Sequence, residues 1–314
     1  MASDAIVIAV GGPPWAVFEA EAQLHALERR WSRFLTNSDI SRLNRDASAT
    51  VDPETLVLID IMQQAAVLTE GAFDPTLLRA LVRAGYASSI DQPDRTTILP
   101  ELDAPAVACS IAEVSVDPGT ARVTLPPDLV LDAGGIGKGL AADLVVERLL
   151  DTGAVGALAG IGGDLCVRGT PPSPDGWTIA VEDPFDLGAN VVTVTIDQGG
   201  VATSSTRSRR WIHEGSEQHH HVDPRTNECS ATDLAAVTVV APTGWLAEAH
   251  ASAALLAGAD QVMSYLSTHG LDGLAITTDG YRLATGGFQE RHEAGTQDDE
   301  PRLLGAGSDR PRAS

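Results

Sequence analysis

Between residues 17 and 34, apolar side chains recur at Val17, Leu24, Leu27, Trp31 and Phe34. Steps of three, four and seven place them on one face of an amphipathic helix that ends near the segment SDISRLNR (38–45). A second helix is predicted from Pro53 to Glu70, with Asp52 as its cap and Gly71 as its stop. The polar, proline-punctuated stretch 88–105 reads as a surface excursion. From Ala112 the pattern shortens to β-branched runs, VSVDPG and ARVTLPPDLVLD, which meet in a hairpin at Asp117–Thr120. A helix follows over GLAADLVVERLLDTG, then strands over VGALAG, LCVRG, WTIAVED, NVVTVTID and AAVTVVAP. Helices over Trp245–Ala257 and Asp260–His269 precede a last strand pair that turns at Asp279-Gly280.

Strands and helices grouped in runs, without regular βαβ alternation, indicate an α+β fold rather than a doubly wound parallel sheet. Residues 1–290 are expected to form one domain, and the polar tail 291–314 to be disordered.

Composition narrows the class of function. Forty-three acidic residues against twenty-one basic ones give a net charge of −22, which repels nucleic acid and anionic lipid. The same field repels an anionic cofactor, so a site for one needs directed donors or a metal. Cys109, Cys166 and Cys229 are far apart and lack Cys-x-x-Cys spacing, which argues against a disulfide framework or zinc site and for a reducing compartment. The first apolar run follows Asp4 where a signal peptide carries positive charge, and no segment is long enough to span a bilayer. A cytoplasmic location is the expectation.

Several segments can carry chemistry. Asp132–Gly139 (DAGGIGKG) joins a strand to a helix, where free amides suit an anion, although a glycine turn that only packs the helix fits equally. It matches neither a P-loop nor GxGxxG. His219, His220 and His221 are consecutive, so one functional histidine is the better reading than a three-histidine metal site. Glu248 and Ser252 share a helix face, either as hard oxygen ligands or as ordinary surface. Asp74 is a helix cap or a ligand contact. Thr203–Thr206 offers hydroxyl donors or ends a strand. Arg207, Arg209 and Arg210 face phosphate or form salt bridges.

Taken in order, these segments resemble the FAD:protein FMN transferase family, often called ApbE. WSRFLTNSDISRLNR is similar to its Ser-x-Phe…Ser-x-Ile-Ser-x-Leu-Asn signature, GAFDPT to its Gly-x-Phe-Asp-Pro, and DAGGIGKGLAAD to its glycine-rich helix start. GIGGDLCVRG, VATSS, HHVDPRTN and AEAHASAALLAG continue the series, from about residue 30 to 285.

The resemblance implies an α+β fold of mixed or antiparallel sheets flanked by helices, related to the T-fold. It implies FAD contacts from Phe34, Ala72, Phe73, Asp74, Asp132, Lys138 and Val222. Mg²⁺ would be held by the carbonyl of Gly135 and the side chains of Glu248 and Ser252. The implied reaction cleaves FAD, attaches FMN by a phosphoester to a threonine of an acceptor protein with an FMN-binding domain, and releases AMP. His220 matches the family's His-x-x-Asp-Pro and would assist the threonine hydroxyl; a one-residue shift would substitute His219 or His221. The rival activities are hydrolysis of FAD to FMN and AMP, or FAD carriage without turnover. The family usually has Asp and Thr where this chain has Glu248 and Ser252, and the longer Glu moves its oxygens outward by one carbon.

Overall fold

The computed structural model describes residues 4–90, 92–101, 110–290 and 304–305. Its helices, in chain order, are α1 (Ala16–Trp31), α2 (Asp39–Asp46), α3 (Pro53–Leu68), α4 (Leu78–Arg83), α5 (Gly137–Asp151), α6 (Gly244–Ala257), α7 (Val262–Thr268) and α8 (Gly286–Glu290).

The central sheet has eight strands in spatial order Ala5–Val10, Gly156–Ile161, Asp164–Gly169, Gly199–Ser205, Leu234–Ala241, Asp272–Thr277, Arg282–Ala284 and Leu304–Gly305. Every pairing is antiparallel except the last, Leu283 with Leu304. The predicted α+β class is therefore observed. Of the tail expected to be disordered, only Leu304–Gly305 lies among the described residues.

Leu234–Ala241 shows why the sheet is layered. All eight of its residues are buried, because both of its faces are covered. Val237 and Val239 pack with Ala247, Ala251 and Leu255 of α6, whereas Val240 joins Trp177 and Val194 on the opposite face. That opposite face is covered by the hairpin Trp177–Asp183/Asp186–Ile196. On the helical face, α1, α3 and α5 close the core beside α6 and α7.

In α1 the buried stripe is Ala16, Ala20, Leu27 and Trp31, with Leu24 partly buried. Val17, expected in the stripe, is exposed because Ala16 takes the inward position one residue earlier. Trp31 Nε1 donates to Thr55 Oγ1 (3.2 Å), and that hydroxyl donates to Asp39 Oδ2 (2.7 Å), so α1, α3 and α2 share one buried polar chain. The helix ends at Trp31 with Ser32 extended, which leaves Phe34 beyond it. The segment expected only to end α1 forms α2 itself, capped by Ser38, whose hydroxyl accepts from Ser41 N.

Asp52 caps α3, and the chain leaves it through Glu70 and Gly71, both at positive φ. The hairpin at Asp117–Thr120 is present, with the Asp117 carboxylate accepting from Gly119 N and Thr120 Oγ1. The strands Arg210–His213 and Ser216–His219 were not anticipated.

Helices α5 and α6 start side by side. A Cβ on Gly139 would lie 2.3 Å from the Gly244 carbonyl oxygen, so both positions need glycine for backbone to meet backbone. The Asp143 carboxylate accepts from Gly244 N (2.8 Å) and Trp245 N (2.9 Å). Among the described residues no helix is long and apolar enough to cross a membrane. Cys166 and Cys229 are unpaired thiols; Cys109 lies outside the described residues.

Candidate functional site

The N-terminus of α5 is the floor of the site, and three adjoining cavities meet at Asp132 there. The first, of about 240 Å³, is walled by Phe34, Arg33, Tyr86, Lys138 and Arg209. The second, of about 90 Å³, is lined by Ala72, Phe73, Asp74, Gly135, His220, Val222 and Ser252. The third, of about 300 Å³, lies between them over Lys138, Asp164, Thr203, Ser204, Glu248 and Ser252. All eleven site residues expected from the sequence line this composite cleft. Phe34 lies in a different cavity from the Ala72–Asp74 segment and Val222, and Asp132 joins the two.

Lys138 is the electrostatic centre. Its ammonium donates to Asp164 Oδ2 and to Glu248 Oε1, the latter at 2.7 Å. Glu248 Oε2 accepts from Gly139 N at 2.7 Å, so this α6 carboxylate satisfies an amide at the start of α5. Asp164 reaches this point because Gly162 and Gly163, both at positive φ, form the two-residue turn that sets it at the head of its strand. Its other oxygen accepts from Thr203 N (3.2 Å). The Ser252 and Ser204 hydroxyls are 3.0 Å apart.

Asp132 has its Oδ1 bonded by Gly134 N (3.0 Å) and its Oδ2 facing Arg33 Nε (3.4 Å). Asp74 accepts from Thr76 N (2.8 Å) and Thr76 Oγ1 (2.6 Å), a local turn that presents it at the cavity mouth. Gly135 lies where an added Cβ would be 3.3 Å from the Phe73 ring, so the chain there runs close against that side chain.

The three histidines separate. His219 turns away into a groove on the far side of its strand, with Nε2 facing Ser230 O at 3.0 Å. His220 and His221 line the cleft with rings 4.0 Å apart. Nδ1 of His220 and Nε2 of His221 are shielded from solvent with no hydrogen-bond partner among the described residues. Burial, then repulsion from His221, Arg209 and Lys138, holds His220 well below the usual imidazole range. Burial, with help from His219, Lys138 and Arg209, lowers His221 to about 3. Both rings are therefore neutral at neutral pH.

The arginine cluster also divides. Arg207 lies over the Phe185 ring at 5.2 Å, Arg210 pairs with Glu217, and Arg209 lines the cleft beside Lys138. Sequence reading singled out neither Asp164 nor Arg33. Both sit in quoted motifs, Asp164 in GIGGDLCVRG after a Gly-Gly turn and Arg33 in WSRFLTNSDISRLNR with nothing local to mark it.

Among the described residues no three His, Cys, Asp or Glu side chains are arranged to hold a metal by themselves. A cation here would need hydroxyl and backbone oxygens as well. The cleft offers hard oxygens throughout, namely Glu248, Asp164, Ser252, Ser204 and the backbone at Gly135.

An FAD:protein FMN transferase from Klebsiella pneumoniae is 30% identical over 230 residues, 70% of this chain and 69% of that protein. One from Haemophilus influenzae is 26% identical over 263 residues, 81% of this chain and 75% of its own length. The crystal structure of the flavinyl transferase ApbE of Pseudomonas stutzeri, in its apo form, superposes with a TM-score of 0.74 at 25% identity, covering 94% of this chain and 98% of that one. A family model described as the ApbE family matches residues 5–275, and on that match the chain belongs to the ApbE family.

Proposed function

We propose that this chain is an FAD:protein FMN transferase. The observation that carries the reading is the meeting, at one helix N-terminus, of Lys138 with Glu248, Ser252, Asp132 and a neutral His220. Lys138 and Arg209, with a divalent cation on the neighbouring oxygens, would offset the charge of the FAD pyrophosphate, which the acidic protein otherwise repels. Phe34 and the segment Ala72–Asp74, on either side of Asp132, hold the two ends of the dinucleotide, and Val222 closes the wall beside Asp74.

Each carboxylate oxygen of Glu248 keeps a lone pair beyond the bond it accepts, so the oxygen set suits Mg²⁺. Glu248, Ser252 and the Gly135 carbonyl would hold that ion, which when bound stabilises charge on the phosphate oxygens. His220 takes the proton from the acceptor threonine hydroxyl as its oxygen bonds to the flavin-side phosphorus. The bond between that phosphorus and the bridging oxygen breaks, and AMP leaves with the bridging oxygen.

The test is intact-protein mass spectrometry of an FMN-binding acceptor domain incubated with this chain, FAD and Mg²⁺. The acceptor should gain the mass of FMN less one water, at a threonine, with AMP released in equal amount. Free FMN and AMP beside an unmodified acceptor would replace transfer by hydrolysis, and intact FAD would leave a carrier.

A further inference from the structure

The first strand, Ala5–Val10 (AIVIAV), closes one end of the eight-stranded sheet and pairs with Gly156–Ile161; its outer edge has no partner among the described residues. It carries no charge, proline or bulge, the devices that keep an exposed edge from pairing with another chain. Two hydrogen bonds decide which backbone groups that edge offers. Asp4 O accepts from Gly162 N (3.0 Å) and Val10 O from Val155 N (2.8 Å), so residues of even number point their N–H and C=O groups inward. Alternation along an antiparallel strand then turns those of Ala5, Val7 and Ala9 to the open edge. The side chains divide as well. Val7 and Ala9 pack against the core with Ala16 and Ala20 of α1, whereas Ile6 (62% exposed) and Ile8 (38%) stand in solvent on the other face.

We propose that this edge is the interface of a dimer, in which the first strand of a second copy adds antiparallel across a two-fold axis at Val7. Val7 then faces the partner's Val7, and Ala5 the partner's Ala9, so every outward N–H meets a C=O. The same register brings Ile6 opposite the partner's Ile8 and joins the isoleucines of both copies on the uncovered face. A register displaced by one residue would set Ile6 against the face that α1 covers. Next to the strand, Trp15, Val17, Phe18 and Val155 are also exposed. With the two isoleucines they present on the order of 500 Å² of apolar surface, at roughly 200 Å² for a whole aromatic side chain and somewhat less for an aliphatic one. A stable interface buries about 800 Å² on each partner, a little over half of it apolar, so the patch is of the size a dimer needs. The chain's own tail is too short to cover the edge. Leu304–Gly305 pairs at the opposite end of the sheet, roughly 34 Å away at about 4.8 Å per strand. Residues 306–314 span at most about 32 Å fully extended.

Analytical ultracentrifugation of the full chain and of its Ile6→Glu and Ala5→Pro variants tests this. Wild type should sediment at twice its mass of 32.7 kDa. Ile6→Glu sets an unpaired charge against the partner's Ile8, and Ala5→Pro removes an outward N–H that has no acceptor among the described residues. Each should raise the dissociation constant by about tenfold or more. Both changes fall on exposed side chains, and far-UV circular dichroism checks that the fold is kept. A second measurement needs no variant: hydrogen exchange in the wild-type peptide 4–10 should quicken on dilution, as the outward amides lose their acceptors. A wild-type chain that is monomeric up to about 100 μM would overturn the inference. So would a dimer that either folded variant leaves intact, or exchange in residues 4–10 that does not change with concentration.

Discussion

Glu248→Asp is the substitution for which the structure makes the sharpest forecast. The wild-type side chain bridges two helices, with Oε1 2.7 Å from Lys138 Nζ and Oε2 2.7 Å from Gly139 N. Removing one methylene retracts the carboxylate by about 1.5 Å, the length of a carbon–carbon bond. Both contacts stretch to roughly 4 Å, beyond hydrogen-bond range. The Gly139 amide is then buried without an acceptor, at a cost of about 1–3 kcal/mol, while Lys138 keeps Asp164. With the weakened Lys138 pairing included, the loss comes to about 2–4 kcal/mol, which lowers Tm by about 3–7 °C in a domain of this size. Transfer should fall by about 10²-fold, since a displacement of roughly 1 Å at a catalytic group has that consequence. Half-maximal Mg²⁺ should rise as well. This backbone is spaced for Glu. Denaturant melts and Mg²⁺ titrations of wild type, Glu248→Asp and Glu248→Ala check this. A Glu248→Asp protein as stable and active as wild type would refute the reasoning, and three superimposable Mg²⁺ curves would remove residue 248 from the ion.

Replacing His220 with Ala should reduce transfer by about 10²–10⁴-fold in single-turnover assays while sparing FAD affinity, the range for a lost proton-transfer group; His219→Ala should do far less, since His219 faces the other groove. Lys138→Met leaves Asp164 and Glu248 buried without their cation and should cost about 3–5 kcal/mol in urea unfolding, with an even greater loss of turnover. The lowered His220 and His221 fix an acid dependence: the unfolded chain takes up protons below its ordinary imidazole value near 6.5, whereas folded His221 does so only near 3. Stability from these groups is complete above about 6.5 and falls by up to about 1.4 kcal/mol per pH unit per histidine below it; His221→Phe should flatten that part of the profile. Calorimetry should find FAD bound more tightly than FMN, because the adenylate half fills the cavity beside Asp74.

Much of this was legible because it is local. The buried stripe of α1, the Asp52 cap and the unbroken apolar run of Leu234–Ala241 follow from neighbours a few residues apart. The motif residues of the cleft were legible as an ordered series rather than singly. What stayed hidden depends on distant partners. Arg33 is held at the cleft by Tyr86, Thr97 and Asp132, which lie 53, 64 and 99 positions away. Separating His219 from His220 required the register of the Arg210–His213/Ser216–His219 hairpin, which alternating polar residues did not disclose. Val17 was misplaced because an alanine next to it fits the core better than the larger side chain.

The crossing of α5 and α6 works as a reciprocal clasp. A carboxylate from α5, Asp143, closes the first amides of α6, and a carboxylate from α6, Glu248, closes an amide of α5, around a glycine pair too close for any side chain. Opening the helices by even one ångström would break all three bonds together, so the joint is a rivet rather than a hinge. Whatever movement admits FAD and releases AMP therefore does not arise at this joint. Speed of exchange and strength of grip are thereby assigned to different parts of the chain, and one can be retuned by substitution without loosening the other.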